Sequence, residues 1–223
     1  MSGFRFQEQK AVSLRHRIAD EIRVAIFGGK LKPGDRLLEL DISKQMGVSR
    51  GPIREAFRVL ELEGLIISQP FRETVVADLS KDEVIEVLLP IRLTLELYTL
   101  RKVLPLVDES DLVALQNLIN EMQKSGAKRD IAKVVEYDLA FHEYMIIKSQ
   151  VPHVMNMWSS ISNRIRLHFL FQGQQYEDIT RVWEYHEPLL HAVAGREVEN
   201  VCSAFSDHIY DSNLRSLGII KNV

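Results

Sequence analysis

At 223 residues, with 46% apolar and 26% charged residues, the chain has the composition of a folded protein with room for two cores, which excludes long disordered or low-complexity tracts. A single cysteine, Cys202, excludes an internal disulfide and fits a reducing cytoplasm, and neither a signal core nor an apolar run of roughly 18 residues points to a membrane. The net charge of −3 divides unevenly: residues 1–77 hold 13 Lys/Arg against 10 Asp/Glu, a net of +3, and residues 78–223 hold 15 against 21, a net of −6.

The first helical pattern runs from about Ser13 to Phe27, with Leu14, Ile18, Ile22, Ala25 and Ile26 on one face and Arg15, Arg17 and Arg23 off it. Gly28-Gly29 stops it, and Lys30 to Asp35, containing Pro33-Gly34, reads as a turn. A second helix starts near Glu39, places Leu40, Ile42 and Met46 on its apolar side and ends at Gly47. Only Val48 separates it from a third, for which Ser49 is the expected N-cap and Pro52 lies in the first turn, where its missing amide hydrogen costs no bond. Leu65–Ser68 and Thr74–Ala77 are short β-like runs around a turn containing Pro70, which predicts a two-stranded wing.

After Asp78-Leu79-Ser80 the pattern is helical throughout, with breaks near Leu104-Pro105, Ser125-Gly126, Gln150–Pro152, Gln172-Gly173 and Gly195, so six helices are expected. Pro90 falls inside the first and is expected to kink it. The fold expected is mainly α: a winged helix-turn-helix over 1–77, a linker at 78–81, and an antiparallel six-helix bundle over 82–223.

The third helix carries the first chemistry. Ile53, Ala56, Phe57 and Leu60 form a buried stripe at helical spacing, while Arg50, Arg54 and Arg58 stand four residues apart on the other face. Spaced arginines on an isolated helix are ordinarily a solvated face. Here the ridge coincides with the second helix of a helix-turn-helix in the basic third of the chain, which favours entry into a DNA major groove. Arg50 and Arg54, nearer the N-terminus, are the expected base readers, and Arg58 is expected to meet phosphate or pair with Glu55 or Glu61.

A second set of residues lies in the bundle. Asp138 and His142 interrupt an apolar stripe of Val134, Phe141 and Met145; His186 falls among Ile179, Val182, Leu189 and Val193, and His208 among Val198, Val201 and Phe205. An inward aspartate needs a hydrogen-bonded network or a cation, and three imidazoles with one carboxylate suit zinc or nickel with a coordination position left open. Spacing does not show that the helices converge, so a hydrogen-bonded core or an intrahelical Asp138–His142 pair remains an alternative.

The string Gly47-Val48-Ser49-Arg50-Gly51-Pro52-Ile53-Arg54-Glu55-Ala56, with Pro33-Gly34 before it and Gly64-Leu65 after, resembles the GntR family of transcription regulators. That resemblance implies operator contacts by Ser49, Arg50, Gly51 and Arg54, with Arg72 in the wing. Glu73 stands where the family usually has glycine, and an acid there is expected to weaken minor-groove insertion. Asp138-x2-Phe141-His142, Glu184-Tyr185-His186 and His208 resemble the FCD-type effector domain of the FadR subfamily, and six helices its VanR-like branch. This implies Asp138, His142, His186 and His208 as metal ligands and Arg92, followed by Glu96, as an effector-facing residue; Val151-Pro152-His153 departs from the usual Gly-Asn. His16, His153, His168 and His191 match nothing and are expected to be solvated or capping.

The reading reached is a cytoplasmic, homodimeric repressor that binds a pseudo-palindromic double-stranded operator and senses a small carboxylate metabolite at a divalent metal site. A metal-dependent hydrolase is the rival, although Glu184 and Glu187, as helical neighbours of His186, are expected to face away from the ligands and offer no base.

Overall fold

The structure, a computed structural model, describes residues 13–68, 73–172 and 179–217. It begins with helix α1 (Leu14–Phe27), strand β1 (Arg36–Leu37), α2 (Glu39–Met46), α3 (Arg50–Leu62), β2 (Ile66–Ile67) and β3 (Thr74–Val76). Ile18, Ile22 and Ile26 of α1 meet Ile53, Ala56, Phe57 and Leu60 of α3 in one core. Full burial of each large side chain in that stripe contributes about 1.5–3 kcal/mol, which fixes which face of α3 remains outside.

Several local expectations change. Leu40 is exposed, and α2 instead buries Ser43 beside half-buried Ile42 and Met46. Ser49 takes the extended N-cap conformation, but its hydroxyl makes no capping bond. Gly47 adopts the left-handed conformation with φ 65° that turns the chain sharply from α2 into α3. The wing is also part of a larger sheet: β3 pairs antiparallel with β2 and, on its other edge, with β1, giving the order β1-β3-β2. A two-residue strand carries too little alternation to be read from sequence, so β1, just after the expected turn at 30–35, was not anticipated.

Ser80 and Glu83 form a capping box that starts the second helical region at α4 (Lys81–Glu83). A π-helical turn at Val84–Leu88 then leads into α5 (Leu89–Val103). The widened turn lies just before Pro90, where an α-helix would lose a backbone bond and crowd the ring, so the expected kink takes this form. There follow α6 (Glu109–Ala127), α7 (Ile131–Lys148), α8 (Pro152–Gln172), a 3-10 segment at Ile179–Tyr185, α9 (Glu187–Gly195) and α10 (Val198–Ser216).

Two breaks shift. Gly126 is buried inside α6, and the chain turns instead at Arg129, with φ 55°. The stretch before α9, expected to be α-helical, is 3-10 over its described part.

α8 joins the two regions. Trp158, Ile161, Ile165 and Phe169 face the bundle, whereas Leu167 enters the core shared by α1 and α3. Around it Arg23 of α1 pairs with Glu63 at 2.7 Å, and Arg166 lies 5.0 Å above the Phe27 ring. The Arg164 guanidinium occupies the space where a Cβ on Gly64 would stand.

Candidate DNA-reading helix and metal centre

Ser49, Arg50, Gly51, Arg54 and Arg58 are all on the exposed side of α3, and nothing lies within 4 Å of where a Gly51 side chain would begin. The Arg50 and Arg54 side chains remain 53% and 56% exposed, so the reading ridge is open to a duplex. Both are tied to one residue that sequence reasoning passed over. Glu39, at the start of α2, accepts from Arg50 Nε at 3.0 Å and Nη2 at 2.6 Å, and from Arg54 Nε at 3.0 Å. The Arg54 contact, with Arg50 beside it, outweighs partial burial and holds the Glu39 carboxyl below its usual range.

Arg58 pairs with Glu55 at 2.7 Å, one of the two partners expected for it. Arg72 lies outside the described residues. Glu73 is not a bare acid, since Arg36 of β1 reaches it at 2.7 Å and compensates its charge.

Asp138 and His142 project from α7, His186 from the junction before α9, and His208 from α10. Their donor atoms all lie within 4.8 Å of one another. Phe141 closes one side, its ring edge-on to both His142 and His186.

The hydrogen bonds around this cluster leave lone pairs pointing into it. His142 Nδ1 is 2.7 Å from Glu96 Oε2, and His186 Nδ1 is 3.1 Å from the Val182 carbonyl oxygen. Each oxygen only accepts, so each imidazole carries a hydrogen on Nδ1, and neutral His142 presents Nε2 as a lone pair. His142 Nε2 and Asp138 Oδ2 are buried without a hydrogen-bond partner, and His186 Nε2 faces Asp138 Oδ1 at 3.1 Å.

Two orphaned buried acceptors beside a second imidazole are costly unless a cation satisfies them. Burial also drives His142 and His208 towards the neutral imidazole. Burial would raise the Asp138 carboxyl, but contact with His186 and the charges of His142 and Arg92 outweigh it and keep the group ionised. The donor set therefore fits a divalent ion.

Behind His142, Glu96 is buried and accepts from Arg92 Nε at 2.6 Å, while Arg92, 1% exposed, leaves Nη1 without a partner. Opposite, a cavity of about 240 Å³ opens onto Asp138, His186 and His208 and is bordered by Glu184, Tyr185 and Asp211. Glu184 thus does reach the cluster's edge, against expectation, because the 3-10 segment changes the angle between it and His186. It is paired with Arg181 at 2.7 Å. Glu187 faces away and accepts from Gln116.

His16, His153 and His191 are exposed as expected, but His168 is 2% exposed. Burial, with Arg92 nearby, pushes its imidazole down to about 4. Below the ordinary value of 6.5 the unfolded chain binds a proton that the folded chain refuses, so stability falls as pH drops from about 6.5 to about 4. Crossing that window is expected to cost about 3 kcal/mol. Urea unfolding across it, with chelator present so that the cluster histidines contribute alike, should show a shallower loss in His168→Gln.

The family described as FCD domain matches residues 87–211, and the family described as bacterial regulatory proteins, gntR family, matches residues 14–76. This chain belongs to the GntR family and carries an FCD domain.

The regulator is 31% identical over 148 residues to the uncharacterized HTH-type transcriptional regulator YdhC of Bacillus subtilis, a match covering 66% of this chain and 65% of that protein. It is 28% identical to the gluconate operon transcriptional repressor of the same organism, covering 81% and 76%. Its fold matches that of Escherichia coli McbR/YncC with a TM-score of 0.78 at 22% identity, covering 94% and 99%. The two family matches make the chain a transcription regulator rather than an enzyme, and nothing in them supports the hydrolase alternative. Among the described residues no helix is long and apolar enough to cross a membrane.

Proposed function

We propose that this regulator is a cytoplasmic homodimeric repressor, of the FadR subfamily and its VanR-like branch, controlled by a small organic acid. The reading assigns 1–77 to operator binding, 78–81 to a linker and 82–223 to effector binding and dimerisation. Ser49, Arg50, Gly51 and Arg54 would meet base edges and flanking phosphates, with Arg58 and Arg72 on the backbone. Repetition of that helix in a two-fold dimer calls for a pseudo-palindromic operator. The repressor sense draws on relatives named as repressors, among them that of the gluconate operon.

The observation that carries the sensing half is the convergence of His142 Nε2 and Asp138 Oδ2, both unpartnered, with His186 Nε2 and His208 beside them and the free Nη1 of Arg92 behind. Asp138, His142, His186 and His208 would hold a divalent ion, zinc or nickel, which when bound supplies a Lewis-acid position for an effector carboxylate. Glu96 fixes the His142 tautomer and holds Arg92 in place. Arg92 does not line the cavity beside the cluster, so its Nη1 would meet only an effector oxygen that reaches past the ion to the buried side, and Phe141 and Leu189 limit water around the cluster. The cavity of about 240 Å³ is smaller than the roughly 300–1,000 Å³ typical of drug-sized ligands, so it suits a small metabolite. Binding alters operator affinity only as far as the two arrangements of the DNA-reading heads differ in effector affinity.

Thermal shift against a panel of three- to six-carbon hydroxy acids, gluconate included, tests this reading. An acid that serves as effector is expected to raise Tm of metal-loaded protein and to do nothing after chelation. Equal stabilisation with and without chelator would separate acid binding from the metal and overturn the proposed site. A panel without any hit would overturn the carboxylate assignment.

A further inference from the structure

Two arginines on a reading helix need their forks aimed before DNA arrives, since long side chains otherwise lose rotamer freedom on binding. The structure supplies the aim from outside that helix. Glu39 engages Arg50 through Nε and Nη2, and engages Arg54 through Nε alone. Among the described residues this leaves both terminal nitrogens of Arg54 unpartnered, and one of Arg50. Glu39 is itself only 25% exposed, at the start of a helix whose position is set by the core beneath it.

From this geometry we infer that Glu39 is a positioning and specificity-determining residue, which takes the inner edge of both guanidiniums and presents the outer, end-on edge of Arg54 and of Arg50 to the duplex. The inference rests on the proposed role of α3 in reading DNA. A guanine offers two acceptors, O6 and N7, at a spacing that the two terminal nitrogens of one guanidinium can meet together. Arg54 keeps that pair, and so does Arg50, whose Nη1 and second Nη2 hydrogen remain after Glu39 has taken its Nε edge. Both arginines are therefore aimed base readers.

Glu39 has a second effect through charge. One carboxylate against two guanidiniums leaves a net single positive charge, so the cluster attracts any phosphate backbone less than two bare arginines would. Both effects act in the same direction: the acid lowers indiscriminate attraction and sharpens directed donation.

The test is a set of binding titrations over a salt series, using full-length protein. The probes are a duplex selected by the wild type from a randomised pool and a scrambled duplex of the same composition. Glu39→Gln is expected to bind the scrambled duplex several-fold more tightly at low salt, with a log–log salt slope steeper by up to about one unit. Its preference for the selected duplex should fall about tenfold, within the range of one bidentate base contact. In an Arg50→Ala, Arg54→Ala background the same substitution should leave the remaining preference unchanged, because both residues it aims are gone. Thermal melting accompanies each variant, since loss of an acid from the first turn of α2 weakens that helix slightly.

An unchanged preference in Glu39→Gln would overturn the positioning role, as would an equal loss with and without the two arginines, which is what simple damage to α2 gives. If Arg54→Ala and Arg50→Ala themselves keep the wild-type preference, the reading role of α3 has failed instead. The two failures are therefore distinguishable.

Discussion

Replacing Arg54 by alanine is expected to reduce the regulator's preference for its selected duplex over a scrambled one by about 10- to 100-fold, the range a lost bidentate base contact covers. Binding to the scrambled duplex should fall only a few-fold, since a single cation is removed from the phosphate-facing surface. Arg54 stands more than half exposed and keeps two outward donors, so its removal deletes a contact without opening a core. Arg50→Ala should cost a comparable preference, because Glu39 occupies only its inner edge and leaves Nη1 and the second Nη2 hydrogen facing outward. Both measurements belong at one fixed salt concentration near physiological strength, where charge alone does not mask discrimination. Retention of the full preference by Arg54→Ala would show that sequence is read elsewhere.

Chelation is expected to lower the melting temperature of the protein by roughly 10 °C, and to do so only while the cluster is intact. An ion present at about a thousand times its dissociation constant stabilises the folded state by about 4 kcal/mol. For a chain of this size each kcal/mol moves Tm by about 2–4 °C. Purified without chelator, the wild type should carry about one divalent ion per chain by elemental analysis. His186→Ala and Asp138→Ala should carry little and melt alike with and without chelator. Wild-type protein that holds negligible metal and ignores the chelator would make the cluster a hydrogen-bonded core.

Those two experiments address residues of different legibility. Arg50 and Arg54 were visible because a helix fixes the angle between successive residues: once Ile53, Ala56, Phe57 and Leu60 define the buried stripe, the arginines four apart must lie off it. The same rule placed Asp138 and His142 on one face of α7 and set His186 and His208 among apolar neighbours. What it left open was whether those three chain segments meet, and the structure brings their donor atoms within 4.8 Å.

The rule also failed in identifiable ways. It put Leu40 inside, because spacing gives a face but not the partner that covers it. It turned Glu184 away from His186, because it assumed 3.6 residues per turn where the segment is 3-10. It passed over Glu39 and left His168 in solvent. No local pattern distinguishes a surface glutamate that clamps two arginines 11 and 15 positions ahead, or a histidine that α8 turns towards Arg92.

The amino-acid order by itself determined the elements of this regulator, the outward ridge of α3 and the candidate ligands, since all of these follow from periodicities within one helix. Tertiary structure alone decided the partnerships: Glu39 with Arg50 and Arg54, Glu96 with His142 and Arg92, β1 with β3, and Leu167 of the bundle in the core of the DNA-reading head. The physical reason is that local backbone geometry sets direction within an element. Which elements then face one another depends on how their apolar surfaces pack, and packing joins residues that lie far apart in the chain.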